Sequence, residues 1–272
     1  MKKAKRNGAV AMAMAAWKQA RINRKYKDIL FRFVLADKKA LLALYNALNG
    51  TDYADERELE FNTIEDVIYV GYKNDLSFII GNTLNLYEHQ STINPNIPLR
   101  GLRYLSLLYN AHVAQTGADE YGTRLIRLPY PQFVVFYNGT DHMEERRTLK
   151  LSDAYHDMPD IKDGPCLEVT ATVININYGN NVELLHKCRK LEEYAIFLHR
   201  LRGYVEQGMA FETALRRAVD ECIEQDILRD ILLKSRSEVI GMMLTKYNRK
   251  LHYKHLREEG REEGREEATA EL

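Results

Sequence analysis

The sequence predicts an α/β domain that a helical C-terminal segment completes or flanks. Three observations carry that expectation. Between residues 24 and 180 a helix pattern, a meander of strand-like runs, a second helix pattern and two further strand-like runs follow one another. From Asn181 onward amphipathic helix patterns take over. The composition is that of an ordinary globular protein, with 45% hydrophobic residues, 29% charged residues and only 15 Gly and 6 Pro in 272 positions.

Each element has its own signal. From Arg24 to Leu48 the apolar residues Ile29, Phe33, Leu41, Leu44 and Leu48 recur at roughly helical spacing, and Asn49-Gly50 reads as the stop. After a polar link, Asp66-Val67-Ile68-Tyr69-Val70 reads as a strand. Residues 74 to 91, NDLSFIIGNTLNLYEHQS, read as a hairpin. It runs through Leu76 to Ile80, turns at Gly81-Asn82, climbs through Leu84 to Tyr87 and ends on Glu88-His89-Gln90. Pro95 and Pro98 punctuate the chain before LRGLRYLSLLYNAHVAQ, a helix pattern. PQFVVFYNG is a strand closed by the turn signal Asn138-Gly139, and CLEVTATVININYG is a long strand rich in Val, Ile and Thr. The later runs VELLHKCRKLEEYAIFLHRLRGYV, AFETALRRAVDECIEQ and DILRDILLKSRSEVIGMMLTKYN are amphipathic helices. The expected organisation is a basic arm over 1–23, the α/β domain over 24–180, a helical segment over 181–250 and a charged, frayed helical tail over 251–272.

Charge excludes a global attraction to nucleic acid, because Lys plus Arg and Asp plus Glu are 39 each. Locally the ends differ: nine Lys/Arg and no acid precede Asp28, while residues 257 to 272 hold seven Glu and three Arg. The basic start with its short apolar run, Ala9 to Trp17, superficially resembles a signal peptide, but more Lys and Arg follow, so a basic tail or helix is the better reading. No stretch reaches the roughly 20 apolar residues of a membrane span. Cys166, Cys188 and Cys222 lie far apart, which suits reduced thiols in the cytoplasm rather than a disulfide framework or a zinc site.

The polar end of the hairpin is the candidate site. Folding about Asn82 brings Asp75 near residues 88 to 89, and period-two alternation places Leu84, Leu86, Glu88 and Gln90 on one face. Asp75 and Glu88 then converge and repel unless a cation lies between them. Oxygen-only ligands suit Mg²⁺. Polar residues at a strand end more often cap or solvate the sheet, and that reading stands beside the first. His89 alternates to the opposite face, which favours a structural role for its ring. Glu168 reads as an edge carboxylate, and the pairs His186/Cys188 and His252/His255 lack further metal partners.

An Asp opening one strand and Glu-x-Gln on the next resemble the core of the PD-(D/E)xK nuclease superfamily. More narrowly the chain resembles the Rpn family of recombination-promoting nucleases and putative transposases, the YhgA-like group. The resemblance runs through YKDILFRFVL, NDLSFII, LYEHQS and PLRGLRYLSLLY, and more loosely through PQFVVFYNG and VININYG, over about residues 24 to 180. It implies a restriction-endonuclease-like core, a mixed sheet flanked by helices. It also implies a DNA endonuclease that uses Mg²⁺ or Mn²⁺, with Asp75, Glu88 and the backbone carbonyl of His89 as metal ligands. Gln90 stands where the superfamily usually has Lys, and the Rpn-like group resembles this chain in that. Asp28 is either the additional acid that related nucleases place near the metal or a helix-surface acid beside Lys25, Lys27 and Arg32. Arg100 and Arg103 are candidates for DNA phosphate. Two alternatives follow from other classes: a degenerate nuclease fold that binds DNA or a protein without cutting, and a homo-oligomer that pairs its oppositely charged tails.

Overall fold

The computed structural model describes residues 26–61, 76–156 and 164–234. The chain divides into two compact units, Lys27–Leu233 and the combination of Met1–Tyr26 with Lys234–Leu272. The second lies almost wholly outside the described residues, as do the basic arm, the acidic tail, the strand expected over Asp66 to Val70, and Asp75.

The unit Lys27–Leu233 is α/β. Its six-stranded mixed sheet has the order β1-β2-β3-β4-β6-β5, with β1 Glu60–Phe61, β2 Leu76–Ile80, β3 Thr83–Gln90, β4 Tyr130–Tyr137, β5 Arg146–Lys150 and β6 Thr170–Asn175. The three strands β3, β4 and β6 run parallel, and β1, β2 and β5 are antiparallel to their neighbours. The helices are α1 Tyr26–Ala36, α2 Lys38–Asn49, α3 Ile97–Thr116, α4 Val182–Lys187, α5 Arg189–Glu206, α6 Phe211–Glu224 and α7 Arg229–Lys234.

The hairpin expected at Gly81-Asn82 is present. Ile80 faces Thr83 across the turn, and Gly81 adopts φ 53°, where a side chain is disfavoured. The ladder runs back to its last described pair, Leu76 opposite Tyr87. Alternation divides β3 between two layers. Leu84 and Leu86 pack with Phe133, Val135, Tyr137, Ala171 and Val173 under α3, whose Ile97, Tyr104 and Leu108 complete that core. The other face presents Tyr87, which meets Phe78 and Phe136 at ring distances of 5.1 and 5.3 Å, and His89, which lies under Phe31 of α1 and Tyr194 of α5. The C-terminal helices therefore cover the second face.

Two local expectations change. The single helical run of residues 24–48 is two helices, because Asp37 takes an extended ψ of 116° and its side chain accepts from the amides of Lys39 and Ala40, which caps α2. The helix pattern after Asn181 likewise breaks at Cys188. Asn138-Gly139 closes β4 as expected, and the next strand, β5, pairs with β6. Its glycine is needed for close approach: a Cβ there would lie 2.2 Å from the Tyr137 hydroxyl and 2.4 Å from the Ser91 carbonyl.

Close approach also sets how α3 sits on the sheet. A Cβ on Gly101 would fall 2.2 Å from Cε1 and 2.6 Å from Cδ1 of the buried Phe133 ring. Ala gains about 1 kcal/mol over Gly in a helix, whereas overpacking costs about 1–3 kcal/mol. Gly101→Ala is expected to destabilise the fold by up to about 2 kcal/mol in urea unfolding, and a raised midpoint would refute this packing.

Candidate functional site

The C-terminal ends of β3, β4 and β6 lie side by side, the place where open α/β sheets present side chains from several strands to one ligand. On the α3 face, Glu88 is 2% exposed. A carboxylate removed from water to this extent needs charge compensation, and Arg100 supplies it: its Nη2 donates to Glu88 Oε2 at 3.1 Å. The same nitrogen lies 3.1 Å from the Tyr104 hydroxyl, and the guanidinium stands 5.7 Å from the Tyr104 ring centre. Arg100 and Tyr104 are four residues apart on α3 and so share a helix face. Gln90 completes the group. With its amide oriented by the surrounding hydrogen bonds, its oxygen accepts from Arg100 Nη1 at 3.0 Å and its nitrogen donates to the Thr92 carbonyl at 3.1 Å. Arg103, three residues along the same helix, is exposed.

His89 leaves β3 on the opposite face. Its Nδ1 is 2.8 Å from Asp28 Oδ1 and its Nε2 is 2.9 Å from the Tyr194 hydroxyl. With the ring proton on Nδ1, donating to Asp28, Nε2 is the acceptor, and the Tyr194 hydroxyl divides its hydrogen between Nε2 and the Lys27 carbonyl at 3.2 Å. Asp28 thus meets the His89 ring and not the Glu88 carboxylate, and the sheet separates the two acids. The expectation of an additional acid beside Glu88 gives way to a link that ties α1 to β3 and, through Tyr194, to α5.

The oxygen donors expected of a divalent site are present only in part. Glu88 contributes a carboxylate. The Gln90 carbonyl accepts from the Asn138 amide on the β4 side, so alternation turns the His89 carbonyl toward β2. Asp75 lies outside the described residues, and among the described residues no group of three or more His, Cys, Asp or Glu could hold an ion. The described donors are hard oxygens of the kind Mg²⁺ takes, but two of them do not complete a shell. The other candidates have different duties. His186 pairs with Glu192 at 2.7 Å, and burial pushes the Cys188 thiol up to about 11, away from a thiolate ligand. Glu168 accepts from Ser152 Oγ and from the amides of Leu151, Ser152 and Val169, and these hydrogen bonds, that of the Ser152 hydroxyl foremost, hold its carboxyl below the usual range. His252 and His255 lie outside the described residues.

Spacing alone did not reveal Tyr194, Tyr104, Arg202 and Asn138. The signal for Tyr104 was its four-residue step from Arg100, whereas Tyr194 is 105 residues from His89 and only the fold joins them. Comparisons with protein-family models, with curated proteins and with solved structures find no match.

Lys27 shows the cost of charge at these strand ends. Burial, then the Arg202 guanidinium, lower its pKa from 10.5 to about 8, against a smaller raising effect of Asp28. Below about pH 8 the ammonium is carried both folded and unfolded, and folding bears the whole desolvation cost. Between about 8 and 10.5 the unfolded chain keeps a proton that the folded chain has lost, so this contribution to stability rises with pH. Lys27→Met is expected to stabilise the protein at pH 7 by on the order of 1 kcal/mol, with allowance for solvent at this half-buried group. The gain should shrink as denaturation is repeated toward pH 10, and a gain that grows with pH would contradict the assignment.

Proposed function

We propose that the chain is a metal-dependent DNA endonuclease that hydrolyses phosphodiester bonds with low sequence preference, acting in recombination or on mobile elements. The observation that carries this reading is the placement of Glu88, a buried carboxylate on a central strand at the end of a parallel pair, with Gln90 on its face and a guanidinium against both. The mixed sheet flanked by helices agrees with the core that the sequence resemblance implies.

In this reading Glu88, Asp75 and the His89 carbonyl hold a Mg²⁺ or Mn²⁺ ion. When bound, the ion lowers the pKa of water and neutralises phosphate charge. The chain's residues do the rest. Arg100 compensates Glu88 in the absence of the ion and, once released, presents two donors to a phosphate oxygen. Gln90 orients water or phosphate by hydrogen bonding but brings no charge, so it stabilises the developing anion less than Lys would. Arg103 extends the phosphate contact along α3. Contacts of this kind position the duplex without reading its sequence.

One observation favours a second reading. The Glu88 carboxylate already has a cation in Arg100, so the strand end could bind DNA or a protein partner without cutting. A plasmid-nicking assay separates the two. Nicking is expected with Mg²⁺ or Mn²⁺, abolished by EDTA, and reduced at least about a hundredfold in Glu88→Gln, the scale of losing one preorganised electrostatic group. DNA binding without nicking under any metal would establish the second reading, and wild-type nicking by Glu88→Gln would remove Glu88 from the site.

A further inference from the structure

The connection from α3 to β4, residues 117–129, is long for a segment with no helix or strand of its own, and ordered connections of that length usually carry a function. This one is fixed along its course. The Tyr109 hydroxyl donates to the Pro129 carbonyl at 2.8 Å, and the Tyr130 amide donates to the Asn82 carbonyl at 2.7 Å. Near the start Asp119 forms a turn. Its Oδ1 accepts from the Tyr121 amide at 3.0 Å and its carbonyl from the Gly122 amide at 3.2 Å. Ile126 is half-buried and Pro129 is buried.

The anchored loop nevertheless turns its largest side chains to solvent. Tyr121 is 91% exposed, Leu125 73%, Leu128 48% and Tyr130, the first residue of β4, 73%. One exposed apolar residue is ordinary, whereas several on one fixed loop have the composition of an interface. The cations of the loop are Arg124 and Arg127, with no Lys. Tyr and Arg are the residues that carry most of the energy of protein–protein interfaces, and Lys is depleted there.

Charge selects the partner. Asp119 and Glu120 lie toward the start of the loop and Arg124 and Arg127 toward its end, all of them exposed, so the signs cancel. Among the described residues no ion pair engages Glu120, Arg124 or Arg127. Nucleic acid and anionic membranes both call for an excess of cations, which this loop lacks. A surface that carries both signs beside apolar side chains is complementary to itself, because a two-fold axis sets the acids of one copy against the arginines of the other.

We propose that residues 117–130 form the interface through which two copies of this chain pair, with Tyr121, Leu125, Leu128 and Tyr130 packed across the axis and Glu120 of each copy against Arg124 and Arg127 of the other. The register pairs Tyr130 with Thr83 at the start of β3, whereas Glu88 and Gln90 lie at its far end, so pairing leaves that end of each copy open. The inference does not rest on the nuclease reading.

Sedimentation equilibrium of the full chain tests it. Wild type is expected to show a reversible monomer–dimer equilibrium, which Leu125→Ser combined with Leu128→Ser weakens at least about tenfold. Charge reversal keeps the test independent of folding. Arg124→Glu/Arg127→Glu and Glu120→Lys should each associate more weakly than wild type when alone, since each homodimer then sets like charges together. An equimolar mixture of the two should regain association, because opposite signs meet again. Wild type that stays monomeric at about 1 mM would overturn the proposal, as would a dimer that none of the variants weakens. A mixture no more associated than its components would overturn it too. Loss of duplex binding in Arg124→Glu/Arg127→Glu, beside a monomeric wild type, would give the loop to nucleic acid instead.

Discussion

The ion pair between Glu88 and Arg100 is the constraint on which this end of the molecule depends. A carboxylate 2% exposed cannot stay ionised inside a sheet-and-helix interface without a partner. Removing one member of a buried pair typically costs about 3–5 kcal/mol, whereas the intact pair stabilises little over an apolar alternative. The arrangement is thus poor value as a stability device. Arg100 is shared in turn with Gln90 and the Tyr104 hydroxyl, while the described core on the same sheet face includes Leu86, Val135 and Tyr137.

Strand alternation gives the two faces of β3 different duties. Glu88 and Gln90 meet the helix that crosses from β3 to β4, and their partner Arg100 belongs to the first turn of that helix. His89 meets the helices that precede and follow the sheet in sequence, through Asp28 and Tyr194. The buried His89 ring therefore fixes β3 from behind while Glu88 and Gln90 remain at its front. Positioning from one face and chemistry on the other would keep the reactive groups on a rigid strand, which holds a site more accurately than a loop.

Much of this was legible in the sequence. Gly81-Asn82 between two apolar runs located the hairpin, and period-two alternation put Glu88 with Gln90 and turned His89 away. The break at Asp37 was hidden because apolar residues continue at helical spacing on both sides of it, although an Asp in extended conformation is a strong N-cap. Asn138-Gly139 has the composition of a hairpin turn, yet parallel pairing of β4 on both edges leaves no place for one. The side of the sheet on which Asp28 arrives depends on how α1 is rotated over β3, which packing by Phe31 against His89 and Phe136 decides. Arg202 reaches Asn138 across 64 residues, and no local pattern encodes that contact.

The central claim is that Arg100 holds the place of a metal ion at Glu88. Anomalous scattering from crystals grown or soaked in Mn²⁺ tests it directly. The account predicts one Mn²⁺ bound by the Glu88 carboxylate together with Asp75 and the His89 carbonyl, with Arg100 withdrawn from Glu88. Full Mn²⁺ exposure that leaves no ion there and the Arg100–Glu88 pair intact would contradict it, making Arg100 the permanent counter-ion of a site that does not cut.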